Sequence, residues 1–162
     1  MAANPGAFRA TMARVPAGVA IVTALAEDGT PYGFTASSFC SVSLEPPLLL
    51  VCLARSANSY PVFAGCAQFA ISVLRADQSG LALRFASKTA DKFANGPFVR
   101  TAQGALVVDD AHAVAECTVY DRYDAGDHMI LVGEVQHVLV AEKGHPAVYV
   151  DRGFRELTGE PV

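Results

Sequence analysis

The sequence predicts a single, mainly β domain: an antiparallel barrel carrying a few short helices. Six or more strand-length segments follow one another with only two or three short helical patterns among them, an order that suits a barrel and not a βαβ fold. The glycines are isolated, so neither G-x-G-x-x-G nor G-x-x-x-x-G-K marks a dinucleotide fold or a P-loop. At 162 residues and 52% hydrophobic content, the chain is about one domain long and rich enough for one buried core.

Phe8, Met12 and Val15 recur at helical spacing after Pro5-Gly6, so a helix should end near Pro16. Gly18 opens a strand, Val19 to Leu25 is apolar and β-branched, and Glu27-Asp28-Gly29-Thr30 supplies a hairpin turn before Tyr32 starts the return strand. Ser41 to Leu44 alternates. After Pro46-Pro47, Leu48 to Leu53 is a continuous apolar run, the pattern of a strand buried on both faces. Ser56 to Ala64 reads as a helix with Ser56 or Ser59 as N-cap, Pro61 in the first turn and Gly65 beyond its end. Phe69, Ile71 and Val73 alternate as a strand, and Asp77 can cap a helix in which Leu81 and Phe85 share a face. Ser87 to Gly104 is polar and rich in turn residues, which predicts a surface excursion. Two long strands follow: one sets Ala115, Cys117 and Val119 against Glu116, Thr118 and Tyr120, and the other runs from Met129 to Val140.

Charged residues make up only 17% of the chain, and 12 basic against 16 acidic residues give a net charge of -4 without any basic cluster, which argues against a nucleic-acid partner. So apolar a surface suits a chain covered by a second copy, and a homodimer is expected. Cys40, Cys52, Cys66 and Cys117 sit irregularly in apolar segments, as small hydrophobes do and a disulfide framework does not; the chain reads as cytoplasmic. Arg9 and Arg14 before the apolar stretch ending Ala24-Leu25-Ala26 imitate a secretory signal, but Pro16 and Gly18 interrupt it and the same residues serve as a helix feeding a strand. No run approaches the ~18 apolar residues of a membrane span.

Four segments concentrate binding chemistry. In Gly33-Phe34-Thr35-Ala36-Ser37-Ser38-Phe39, hydroxyls among small residues form a wall that a flat, acceptor-rich ligand can approach, although a turn alone also explains them. Ala54-Arg55-Ser56-Ala57-Asn58-Ser59 opens a helix and offers hydroxyls, an amide and N–H groups to a phosphate, with simple capping as the plainer reading. Arg84-Phe85-Ala86-Ser87-Lys88 with Lys92 places an aromatic ring beside cations, as a pyrophosphate site or a solvated helix end would. Ala125-Gly126-Asp127-His128 is explained by a hairpin turn except for its histidine.

The ordered set GVAIVT (Gly18 to Thr23), GFTASSF (Gly33 to Phe39), SVSLEPPLLLVCL (Ser41 to Leu53), RFAS (Arg84 to Ser87), AGDH (Ala125 to His128) and VGEV (Val132 to Val135) resembles the flavin reductase-like family. These are the small NAD(P)H:flavin oxidoreductase components of two-component monooxygenases, with the FMN-binding split barrel, a Greek-key type of antiparallel fold. The resemblance runs from about Phe8 to Phe154 and implies one flavin reductase-like domain over 1–162.

It implies FAD or FMN at a dimer interface, the ring against Thr35, Ala36, Ser37 and Ser38 and against the strand end Cys52, Leu53 and Ala54. Ser56, Asn58 and Ser59 would take the phosphate, with Phe85, Ala86 and Lys92 beside the ribityl or adenine portion. His128, the one residue assigned to the catalytic step, would contact NADH or NADPH, with Tyr149, Arg152 and Phe154 nearby. Many relatives carry Lys where this chain has Ser56 or Asn58, and Tyr where it has Phe154, so the choice between FMN and FAD stays open.

The implied chemistry is hydride transfer from nicotinamide to flavin N5, for which the protein orients the rings and stabilises developing charge. Reduced flavin would then serve a partner monooxygenase. No Ser-His-Asp, Cys-His or zinc-type arrangement competes, and His112, His128, His137 and His145 are too scattered for a metal site. The alternatives are a split barrel that binds flavin without turnover, as sensor or carrier, and a purely structural dimer.

Overall fold

The computed structural model describes residues 2–88 and 91–157. Helix α1 spans Pro5–Ala13, one turn earlier than the apolar spacing suggested, because Asn4 caps it by accepting from the Gly6 and Ala7 N–H groups and Pro5 fits the first turn. None of its residues is buried. Strand β1 (Ala17–Gly18) is followed by β2 (Ala20–Leu25) and β3 (Pro31–Ala36), joined by the predicted turn with Gly29 at φ +84°. Asp28 accepts from the Thr30 N–H at 2.9 Å, which also holds its carboxyl below the usual range. Strands β4 (Phe39–Leu44) and β5 (Pro47–Ala54) form the next hairpin.

The Leu48–Leu53 run departs from expectation: only Val51 and Leu53 are buried, while Leu48, Leu49 and Leu50 keep partial exposure. One side of β5 faces the core and the other is open in the isolated chain. The helix expected over Ser56–Ala64 is shorter, α2 at Tyr60–Gly65, with Ser59 at its N-cap and Ser56–Asn58 in the turn before it. After β6 (Gln68–Val73) comes a 3-10 turn, Ala76–Gln78, and then α3 (Ser79–Ala86). Asp77 is not its cap; that carboxylate pairs with Arg75, and Gln78 occupies the cap position.

The stretch from Ser87 to Gly104 is also more than a surface excursion. Phe93 and Phe98 pack on Phe85 with ring centroids 5.0 and 5.5 Å away, and strand β7 (Phe98–Arg100) pairs with β8 (Leu106–Val108). Strands β9 (Ala113–Ala125) and β10 (His128–Val140) form the long hairpin, and β11 (Val148–Val150) with β12 (Gly153–Arg155) completes a three-stranded sheet with β1.

The main sheet is antiparallel in the order β3-β2-β6-β9-β10-β5-β4. It curls until β3 and β5 approach without pairing, which leaves the barrel split. Val22, Phe34, Val51, Phe63, Phe69, Ile71, Cys117 and Leu131 fill its interior; Ile21, Leu74, Ala82 and Phe85 form a second core under α3. Gly133 is required where β10 crosses this core, since a Cβ there would stand 2.5 Å from the Phe69 ring and 2.7 Å from Cys117 Cβ. Glu116, expected on an outward face, is 7% exposed because the β7–β8 hairpin lies over it.

Candidate functional site

The gap between β3 and β5 opens into a pocket of about 390 Å³. Thr35, Ala36, Ser37 and Ser38 from the end of β3 line one wall, and Cys52, Leu53 and Ala54 from the end of β5 line the facing one. Ser56, Asn58 and Ser59 from the following turn close one end; Phe85, Ala86 and Lys92 from the end of α3 and the loop beyond it close the other, with His128 at the margin. Segments distant in sequence thus meet because β10 pairs with β5, setting His128 opposite Ala54, while α3 packs on β3. Phe34, Ala57, Ser87 and Lys88 also line the pocket. All four belong to segments that the sequence already marks as candidate binding stretches, although none of them is singled out there as a site residue.

Tyr149, Arg152 and Phe154 are not among the lining residues. Tyr149 and Phe154 meet edge to face with ring centroids 5.3 Å apart between β11 and β12, against the core that contains Ile21 and Ala147. Arg152 is exposed in the turn joining those strands, at φ +60°.

The lining groups differ in what they can offer. The Thr35 hydroxyl donates to the Ala82 carbonyl at 2.5 Å, so its proton is spent in fastening α3 to β3 and only its lone pairs face a ligand. Ser37 and Ser38 are exposed, and the Ser38 hydroxyl reaches only the Cys52 carbonyl, at a long 3.4 Å. Ser59 caps α2 by position but its side chain makes no capping bond. Ser56 and Asn58 are exposed in the turn, where the Ala57 and Tyr60 N–H groups are already taken by the Ala54 and Ala57 carbonyls.

Lys92 donates to the Phe85 carbonyl at 2.6 Å, capping α3 while two of its ammonium protons remain free. Burial holds this ammonium below the ordinary lysine range. Lysines 88 and 92 line the pocket and, among the described residues, no Asp or Glu does, in a chain whose overall charge is -4.

At the margin, Gly126 and Asp127 form the two-residue turn between β9 and β10, with Gly126 at φ +62° as such a turn requires. Asp127 Oδ1 lies 2.8 Å from His128 Nδ1, and this hydrogen bond, with the imidazole's charge when protonated, holds the Asp127 carboxyl low. The same turn is tied to the phosphate-type segment: the Arg55 N–H donates to the Asp127 carbonyl at 3.0 Å, and the Arg55 guanidinium pairs with Asp124 at 2.5 Å. His128 is thereby oriented through Nδ1, with Nε2 left for a ligand. Among the described residues no hydrogen bond joins Cys52 or a lining hydroxyl to the imidazole of His128, so none of them is set up as an activated nucleophile. The arrangement binds and aligns. Apolar walls, exposed hydroxyls and lysines suit a flat, anionic molecule of nucleotide type.

Comparison with known proteins agrees with this geometry. The sequence model of the flavin reductase like domain matches residues 12–158. The actinorhodin polyketide dimerase of Streptomyces coelicolor is 68% identical over 97% of this chain and 89% of its own length. The stachydrine N-demethylase reductase subunit of Rhizobium meliloti is 39% identical over 82% of this chain, which spans 57% of that protein's length. Among solved structures, the NADH:FAD oxidoreductase of Streptomyces globisporus C-1027, in complex with NAD and FAD fragments, superposes with a TM-score of 0.90 at 32% identity over 98% of this chain and 97% of its own. The split barrel, its pocket and these similarities together make the chain a member of the flavin reductase-like family.

Proposed function

We propose that the chain is an NAD(P)H-dependent flavin reductase that supplies reduced FAD or FMN to a partner monooxygenase. The observation that carries this is the pocket's charge and shape: facing walls of small residues for a ring, with hydroxyls on one wall and at one end, and Lys88 and Lys92 without a carboxylate among the described residues at the other. A flavin, when bound, accepts a hydride from the reduced nicotinamide; everything else falls to the chain's own residues. Ser37 and Ser38 hydrogen-bond the ring's polar edge, Ser56, Asn58 and Ser59 receive a phosphate, and Phe85, Ala86 and Lys92 flank the remaining nucleotide portion. His128, oriented by Asp127, positions the nicotinamide nucleotide and shuttles no proton. Tyr149, Arg152 and Phe154, outside the pocket, contribute to the nucleotide only at its outer margin.

The chain is proposed to act as a homodimer. Phe8 (59% exposed), Leu44 (82%) and Val140 (76%) are apolar side chains open to solvent in the single chain, which a second copy would cover. Light scattering should report about twice 17.0 kDa. Four cysteines that remain thiols suit a cytoplasmic setting, and among the described residues no helix is long and apolar enough to cross a membrane.

The Streptomyces coelicolor relative is named a polyketide dimerase. That name and the reductase reading agree if reduced flavin leaves this protein for a partner that acts on a polyketide. A steady-state assay crossing FMN and FAD with NADH and NADPH tests the reductase reading. Turnover that depends on added flavin supports it; flavin binding without nicotinamide oxidation would favour the carrier.

A further inference from the structure

A second cavity, of about 460 Å³, shares no lining residue with the first and plays no part in the reading above. It lies across β2, β6, β9 and β10, and the loop between β7 and β8 forms one wall. That loop is firmly built. Thr101 N–H donates to the Ala105 carbonyl, the Ala105 N–H returns to the Thr101 hydroxyl, and the Arg100 guanidinium donates to the Gly104 carbonyl. Two bonds fasten it to the sheet: Thr101 to Glu116 Oε2 at 3.0 Å, and Thr23 to the Leu106 carbonyl at 2.5 Å.

Glu116 is the unusual group. It is 7% exposed and lines the cavity, yet the Thr101 hydroxyl is its one hydrogen-bond partner among the described residues and no cation pairs with it. A carboxylate has room for about four hydrogen bonds, and a buried one is costly when most of that capacity goes unused. A glutamine or serine would fasten the loop at lower cost, so the loop alone does not account for the charge. The sheet is also distorted beside it. A bulge in β10 lies between Val135, opposite Cys117, and His137, opposite Glu116, and it lets the successive residues Gln136 and His137 both line the same cavity.

We propose that this cavity binds a flat aromatic molecule bearing hydroxyl groups, one of which donates to Glu116. Leu25, Phe69 and Leu106 give the ring an apolar bed, Gln68 and Gln103 can each donate to or accept from further oxygens on it, and Gln136, whose Nε2 already donates to Thr118 Oγ1 and the Glu134 carbonyl, can accept through Oε1. With His137 opposite Glu116 in register and Thr23, Thr118 and the glutamines sharing the walls, one carboxylate favours a neutral hydroxyl donor over a full cation, whose desolvation it would have to offset alone. The cavity is a binding site without a nucleophile: burial pushes the Cys117 thiol up to about 12 and raises that of Cys66, so both stay protonated.

The test is calorimetric titration of the full chain with 2,6-dihydroxynaphthalene, with and without saturating FMN. The structure calls for saturable binding that FMN does not displace, weakened by about tenfold or more in Glu116→Gln, and removed in Leu106→Trp, which fills the cavity. Both variants should keep wild-type FMN affinity, which also reports that they fold; if Glu116→Gln does not, Gln103→Leu serves in its place. Absence of saturable binding, meaning that water or a second copy of the chain occupies the cavity, overturns the proposal. So does displacement by FMN, or undiminished affinity in the folded variants.

Discussion

Asp127 Oδ1 stands 2.8 Å from His128 Nδ1, and this contact settles which nitrogen of the imidazole can reach a ligand. Because His128 begins β10 opposite Ala54, it lines the margin of the pocket while its Nδ1 is held by the turn, and Nε2 has no hydrogen bond among the described residues. His128→Ala should raise KM for NADH and lower kcat/KM, leaving flavin affinity nearly unchanged. Asp127→Asn should shift the same parameter more mildly, since the amide oxygen can still accept from Nδ1. Wild-type NADH kinetics in His128→Ala, or loss of flavin binding instead, would remove the histidine from the site.

The two serines beyond β3 should matter in proportion to what they have free. Replacing Ser37 and Ser38 together by Ala should weaken flavin binding several-fold to about a hundredfold, at about 0.5–1.5 kcal/mol for each lost hydrogen bond. Thr35→Val should act differently, because that hydroxyl already serves the Ala82 carbonyl: thermal stability falls and flavin affinity follows only as α3 loosens. Fluorescence titration alongside thermal melts separates the two effects.

Lys92 connects binding to pH. Its ammonium is held low by burial, so it loses its proton at a pH below the ordinary lysine value of about 10.4. Only the charged form can pair with an anionic group of the nucleotide portion beyond the phosphate held at Ser56, Asn58 and Ser59. The preference for FAD over FMN should therefore decline with rising pH on the alkaline side, earlier than a solvent-exposed lysine would dictate, and Lys92→Met should flatten that decline. A preference that stays constant up to about pH 10 would take Lys92 out of reach of that portion.

Gly133 offers a test of the core alone. A methyl there would stand 2.5 Å from the Phe69 ring, and Gly133→Ala should cost about 1–3 kcal/mol of stability in denaturant titration, through overpacking. A neutral effect would mean that β10 and β6 can part without penalty.

Much of this was legible in the residues, for reasons that can be named. The Asp28-Gly29 turn, the alternation of β6 and the long β9–β10 hairpin follow from local chemistry, and so were found without tertiary information. The segments Thr35–Ser38 and Ala54–Ser59 are legible as clusters of donors, and Cys52 and Leu53 only through the family resemblance, although only the pairing of β10 with β5 and the packing of α3 on β3 bring them together. Burial by distant segments was not legible. Phe93 and Phe98 sit in a stretch whose polarity hides them, and they prove to be the packing surface of Phe85. Glu116 alternates like a solvent-facing residue and is covered by a hairpin a dozen or so residues earlier in the chain. The Leu48–Leu53 run looks buried on both faces because its outer side is apolar, while the isolated chain provides nothing to cover that side.

The central claim is that flavin passes through this protein as an exchangeable substrate of a nicotinamide-dependent reduction. The direct measurement is NADH oxidation by the purified protein before and after addition of free FMN or FAD. A slow background that rises to sustained turnover, saturable in flavin, is the predicted result. Flavin that stays bound through gel filtration while added flavin brings no NADH turnover would contradict it.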